Sequence, residues 1–375
     1  MQKQTLLIAS WLLLAGLSIS SASVAPARAQ LVAQAQEDNS ERLNELLREG
    51  RDLVEQGDLE AALAAYEEAA RLDEDNPRIF SGIGYLRAQQ EDYEAAAQAY
   101  RRAIALESDN ADFHYALAYS LAGAGEYDEA AVAYERVTQL APDNANAYLG
   151  LGVVQFRQED YEGALDAYRQ LVSLQPKNWR AHESVGSTLL RMEQPDEAIN
   201  WLQQAADLAP RQSSIQVNLG AAYLNQGEID KALAAFERAA KLEPYNEELH
   251  FQIGKLLQGQ GETERALAAF RQAARVEPEF GAAQMAIGSI LLERGNFLEA
   301  VVAYRQAIEK DPDNADAHYN LGLALQGRER FDEAIAAFET ARELYAESEQ
   351  TDKLDKTEAK LNELNSPDGE EEDDN

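Results

Sequence analysis

The chain contains no cysteine. That excludes a thiol nucleophile, a disulfide and a lipid attached through an N-terminal thioether. Basic residues are scarce: 33 Lys and Arg stand against 67 Asp and Glu, a formal net charge of −34. Phosphate backbones and anionic bilayers are held by Lys and Arg, so neither nucleic acid nor an anionic membrane surface is an expected partner. The acidity reads most simply as a solubility charge. Glycines are spread along the chain rather than clustered, which excludes a Gly-rich phosphate loop. Carboxylate pairs abound, but in turns and on outward helix faces where solvation accounts for them. No enzyme activity and no cofactor are expected.

What the chain does have is a period. Gly50, Gly84, Gly152, Gly186, Gly220, Gly254, Gly288 and Gly322 fall on one 34-residue grid, with Ala118 in the remaining slot. Twelve residues after each comes alanine, from Ala62 to Ala334, and four further on a ring or leucine: Tyr66, Tyr100, Tyr134, Tyr168, Leu202, Phe236, Phe270, Tyr304, Phe338. Self-similarity at a fixed period means stacked copies of one supersecondary unit. The stretch Ala145 to Asn178 shows the unit: two amphipathic segments with a polar break at Gln158–Asp160. With the glycine at position 8, the small residue lets the second helix cross close to the first. Alanine at position 20 faces that crossing, and the ring at 24 fills the space beside it. Pro142, Pro176, Pro210, Pro244, Pro278 and Pro312 fall at position 32, where they end the second helix. Asn144, Asn178, Asn246 and Asn314 at position 34 are N-caps for the helix that follows.

The small residue at 8, Ala at 20, aromatic at 24, Ala at 27 and Pro at 32 resemble the tetratricopeptide repeat family. The resemblance covers nine units, Leu43 to Ser348, with Glu74 and Ser108 in place of proline and Val137 and Leu171 in place of the second alanine. It implies an all-α fold, a right-handed superhelical solenoid of antiparallel helix pairs, and a protein that binds other proteins.

Around the repeats lie four other segments. Residues 1–29 carry Lys3, an apolar run from Leu6 to Leu17 and the ending Ala27-Arg28-Ala29, the pattern of a secretory signal peptide cleaved before Gln30. The alternative is an uncleaved anchor, since Thr5 to Ala27 is uncharged. Cleavage would take the mature chain to about −36 by removing Lys3 and Arg28. Residues 30–42 read as a polar linker. Residues 349–365 place Leu354, Leu361 and Leu364 on one face of a helix that would cap the last repeat. Residues 366–375, SPDGEEEDDN, read as a disordered acidic tail.

His114, His182, His250 and His318 lie 68 residues apart, all at position 4 of alternate units. Helices pack about 8–10 Å apart, so histidines two repeats apart stand roughly 20 Å from each other and share no metal ion. They read as packing residues. The resemblance implies that positions 2, 5, 9, 12 and 13 line the inner face of the solenoid. Several are apolar here: Tyr85, Tyr115 and Tyr119; Leu149, Val153 and Phe156; Leu190, Val217 and Leu224; Phe251, Met285, Tyr319 and Leu323. An apolar stripe along an open face marks a binding surface for a peptide segment of a partner, unless neighbouring repeats cover it. Arg157, Arg180 and Arg191 fall on the same wall with Glu183 among them, a potential clamp for a partner carboxylate. The family's better-known clamp for chaperone C-termini needs Lys at position 5 and Asn at position 9, and no unit has either. The expectation is an exported scaffold or assembly factor of the bacterial envelope, in the periplasm or, in a photosynthetic cell, the thylakoid lumen. The alternatives are a glycan- or envelope-polymer-binding module that stacks sugars on the tyrosines, and a structural spacer. A membrane contact follows only if the N-terminal segment stays attached. The oligomeric state is left open.

Overall fold

A computed structural model describes residues 27–366, with side chains from residue 37. The segment read as a signal peptide, up to residue 26, and the acidic run after Ser366 lie outside the described residues. The described chain is all helix and turn. It divides into two compact units, residues up to Glu126 and residues from Tyr127.

The first unit holds α1 (Ala27–Gln56), α2 (Leu59–Leu72), α3 (Pro77–Gln89), α4 (Tyr93–Leu106) and α5 (Ala111–Ala124). The second holds α6 (Tyr127–Leu140), α7 (Ala145–Arg157), α8 (Tyr161–Leu174), α9 (Trp179–Arg191), α10 (Pro195–Leu208), α11 (Ser213–Asn225) and α12 (Ile229–Leu242). It continues with α13 (Glu247–Gly259), α14 (Thr263–Val276), α15 (Gly281–Glu293), α16 (Phe297–Lys310), α17 (Ala315–Gln326), α18 (Phe331–Glu347) and α19 (Thr351–Asn365). Within each unit successive helices pair, as in α3 with α4, α7 with α8 and α17 with α18, and one pair packs on the next. Residues 30–42, read as a polar linker, are helical: they form the first part of α1, which runs unbroken into the first repeat.

The repeat positions do what their chemistry demands. Ala62, Ala96, Ala164, Ala232 and Ala300 are fully buried where the two helices cross. The ring at position 24 lies flat on the position-8 glycine: an added β-carbon would stand 2.5 Å from Tyr168 at Gly152 and 2.7 Å from Phe236 at Gly220. Burial pushes the Tyr168 phenol up to about 12. The turn between the two helices needs a left-handed residue, met by Gly227 at φ 75° and by Glu159 at φ 63°. Asn144, Asn178, Asn246 and Asn314 accept from N–H groups of the following first turn, and so do Asn76 and Asn110. In each of the four histidines Nε2 makes a hydrogen bond of 2.8–3.0 Å with the backbone carbonyl six residues earlier, at Ser108, Pro176, Pro244 or Pro312. The side chain therefore ties the first helix to the turn that precedes it.

Repeat is locked to repeat by side-chain rungs. Gln158 donates to Asp128 over 2.6 Å and Gln260 to Asp230 over 2.7 Å, each across 30 residues. On the second helices Arg169 pairs with Glu197 at 2.6 Å, Arg271 with Glu299 at 2.6 Å and Arg305 with Glu333 at 2.9 Å. At the C-terminal end α19 packs on α18, with Leu361 buried and Leu354 and Leu364 half-buried. Lys353 and the Tyr345 hydroxyl both donate to Asp316, at 2.7 and 2.6 Å.

Candidate functional site

The inner-face positions fall on the first helix of each pair. In the first unit, Tyr85 on α3 is half-buried over Leu63 and Leu86. On α5, Tyr115 is half-buried and Tyr119 is 41% exposed. The Tyr119 ring meets Tyr93 edge-on, with centroids 6.4 Å apart. Burial, and then the neighbouring Tyr119 hydroxyl, raise the phenol pKa values of Tyr93 and Tyr115.

In the second unit most of the expected stripe is covered. Phe156 and Leu190 pack on one buried cluster, and Val217, Leu224, Phe251, Met285, Tyr319 and Leu323 on another. Phe251 is wedged between Phe270 and Phe280, at 5.4 and 5.1 Å. Tyr319 meets Phe338 edge-on at 5.4 Å. These residues are drawn against the buried core, so the continuous apolar stripe expected from the sequence narrows. In this unit its open part is Leu149 and Val153 on α7, 37% and 41% exposed.

Beside that opening the arginines take up defined places. Arg157, at the end of α7, donates through Nη1 to the Tyr127 hydroxyl at 3.2 Å, its guanidinium 5.7 Å from the ring centre. Arg191, at the end of α9, donates through Nε and Nη2 to the Tyr161 hydroxyl at 3.3 and 3.1 Å, 5.6 Å from that ring. The Tyr161 ring itself rests edge-on against Phe156 at 5.4 Å. Arg157 with Tyr127, and Arg191 with Tyr161 and Phe156, thus form two matching groups one repeat apart. Arg180 lies elsewhere, stacked 4.4 Å above Trp179 at the start of α9. Eleven residues of helix separate it from Arg191 by about 16 Å, so the three arginines do not converge on one carboxylate as a single clamp. Glu183 pairs with none of them at ion-pair distance; Asn218 donates to it at 3.3 Å. Burial raises the Glu183 pKa, against the pull of Ser214, Asn218 and Arg180.

Sequence reasoning missed the tyrosine partners. Their signal was present: Tyr127 precedes Arg157 by 30 residues and Tyr161 precedes Arg191 by the same interval. Lys255 on α13, exposed and 5.9 Å from the Phe251 ring centre, also went unremarked. Among the described residues no group of three or more His, Asp or Glu is arranged to hold a metal ion, and no helix is long and apolar enough to cross a membrane.

A family profile described as "TPR repeat" matches residues 50–90, 84–125 and 120–159. A second, described as "Cilia and flagella-associated protein 70 C-terminal domain", matches residues 141–357, more than half of the chain. The chain belongs to the tetratricopeptide repeat family. Tetratricopeptide repeat proteins are generally non-catalytic scaffolds that bind protein partners. Among solved structures, this repeat protein is similar to YrrB, described as "a TPR protein with an unusual peptide-binding site". The two share 25% identity, 51% of this chain and 98% of that one are covered, and the TM-score is 0.43. A similarity to MamA has 25% identity, covers 44% of this chain and 97% of that one, and has a TM-score of 0.41. A tetratricopeptide repeat protein from Parabacteroides merdae ATCC 43184 is 19% identical, with 67% of this chain and 99% of that one covered and a TM-score of 0.49. No curated protein sequence matches the chain.

Proposed function

We propose that this tetratricopeptide repeat protein is an exported scaffold or assembly factor of the bacterial cell envelope. It holds a peptide segment of a partner protein against the inner first-helix face of its fourth and fifth repeats. The observation that carries the reading is the opening at Leu149 and Val153: two aliphatic side chains, one turn apart, left exposed where the other apolar inner-face residues of the second unit are covered. Such a patch, rimmed by polar groups, is what a docking surface looks like. The export half of the proposal rests on Lys3, the apolar run from Leu6 and the Ala27-Arg28-Ala29 ending.

The test places a photo-crosslinking residue at Val153 on the inner face and, in a second protein, at Val302, which is 51% exposed on α16. In the native host, a partner joined from Val153 and not from Val302 supports the inner-face reading. Capture from Val302 alone overturns it. N-terminal sequencing of the cell-derived protein is expected to begin at Gln30, and an intact Met1 would refute cleavage at that site. A second reading, a glycan-binding module, draws on Tyr119, whose exposed ring offers a stacking face. It requires binding of envelope polymer that Tyr119→Ala abolishes.

A further inference from the structure

We infer that the segment bound at this face is an extended acidic one, two aliphatic residues followed by carboxylates, which Arg157 and Arg191 read. The inference rests on the inner-face reading above and specifies the chemistry of its partner.

Leu149, Val153 and Arg157 succeed one another at four-residue steps, so they lie on one side of α7. Each step rises about 6 Å. In an extended chain the side chains on one face recur at about 6.8 Å. A strand laid along α7 therefore puts residue i on Leu149, i+2 on Val153 and i+4 on Arg157, with a mismatch of less than about 2 Å over the whole run. The first two contacts call for aliphatic side chains and the third for an acceptor of N–H groups.

Acidic residues outnumber basic ones two to one in this chain, and Arg169, Arg271 and Arg305 on the second helices each hold a glutamate of the next repeat. Arg157 and Arg191 hold a tyrosine instead, and neither has a carboxylate within ion-pair distance, although Glu159 is close enough to act on Arg191 electrostatically. A phenol oxygen fixes the guanidinium without neutralising it. Arg157 gives one N–H to Tyr127 and keeps four; Arg191 gives two to Tyr161 and keeps three. Both heads are exposed. The ring beneath each one restricts its rotation, which lowers the ordering cost of binding a carboxylate. First helices of adjacent repeats lie about 10 Å apart, so the second arginine reaches a later acid rather than the one on Arg157. That is why the segment carries a short acidic run and not one carboxylate.

The probes are two fluorescein-labelled peptides, Ser-Leu-Ser-Val-Ser-Glu-Glu-Glu and the same sequence ending in three glutamines, titrated against the chain from Gln30 by fluorescence anisotropy. The glutamate peptide is expected to bind at least about tenfold more tightly, the scale of a charge-assisted hydrogen bond, and the preference should shrink as salt is raised. Arg157→Gln with Arg191→Gln should erase the preference while the circular dichroism and melting curve stay unchanged. Arg157→Lys with Arg191→Lys should restore it only in part, because lysine keeps the charge and loses the planar fork. Leu149→Ser with Val153→Ser should weaken both peptides alike. Equal affinity for the two peptides overturns the inference, as does a preference that survives the arginine-to-glutamine pair or the absence of binding by either peptide. Crosslinking from Val153 in the cell reports separately on whether the face binds a protein at all, so a failure here is distinguishable from a failure there.

Discussion

At Gly152 one added β-carbon would stand 2.5 Å from the Tyr168 ring, a ring only 5% exposed with little room to withdraw. Gly152→Ala should therefore lower stability by about 1–3 kcal/mol through overpacking, even though alanine gains about 1 kcal/mol in helix propensity; urea unfolding measures the net sign. Glu183 gives a residue-scale prediction of opposite direction. Its folded pKa lies above the ordinary carboxylate value because it is partly buried. A raised acid contributes stability that is full below the unfolded pKa and is lost as pH rises through the folded one. Glu183→Gln should thus raise the melting temperature at neutral pH, and the gain should disappear on acidification. A gain that persists below pH 4 would show that packing, not ionisation, is responsible. The sequence displayed the small residue, the alanine and the ring at this scale because each sits on the repeat. It could not display which inner-face apolar side chains remain open. Phe251 is covered by Phe280 in the turn that closes its own repeat, whereas Val153 stays open, and that outcome depends on what the surrounding helices and turns supply rather than on the residue type at the inner position.

Helix ends at the element scale teach that a correct position can carry an incomplete cause. Proline at position 32 reads as the stop signal, yet α2 and α4, with Glu74 and Ser108 there, end at Leu72 and Leu106, the same repeat position as α8 at Leu174. What the two proline-free turns share with the proline-containing turn after α8 is a side-chain bracket from position 34 to 31: Asn76 to Asp73 at 3.1 Å, Asn110 to Glu107 at 2.9 Å and Asn178 to Gln175 at 2.8 Å. The same asparagine caps the following helix. Where no repeat follows, α18 runs on to Glu347. The asparagine thus acts on both helices, and its loss should exceed its replacement elsewhere in effect. Asn178→Ala is expected to cost about 1 kcal/mol, and Gln212→Asn, at a cap that makes no side-chain bond, to add about 0.5–1 kcal/mol. Thermal unfolding of the two single variants decides. If Gln212→Asn is neutral, the bracket to position 31 rather than the cap is the stabilising half.

In the molecule as a whole, a stacked array stabilises each repeat through its neighbours, so the last one depends on what covers it. In the second unit that cover is α19, and its polar fastening is Asp316. Partial burial alone would raise the Asp316 pKa, but hydrogen bonds from Lys353 and Tyr345 outweigh it and hold the carboxyl below its ordinary value. A lowered acid contributes stability that is present above the unfolded pKa and is lost as pH falls through the folded one. Asp316→Asn should accordingly weaken the end of the array at neutral pH, seen as faster hydrogen exchange of the α19 amides. The difference from the natural protein should close as the buffer is taken below the ordinary carboxylate range. Lys353→Met removes the cation and leaves Tyr345 donating, so it should give a smaller loss with the same pH dependence. A loss that is equal at every pH would mean that α19 is held by Leu361 and its neighbours alone, and that Asp316 sits beside the cap without fastening it.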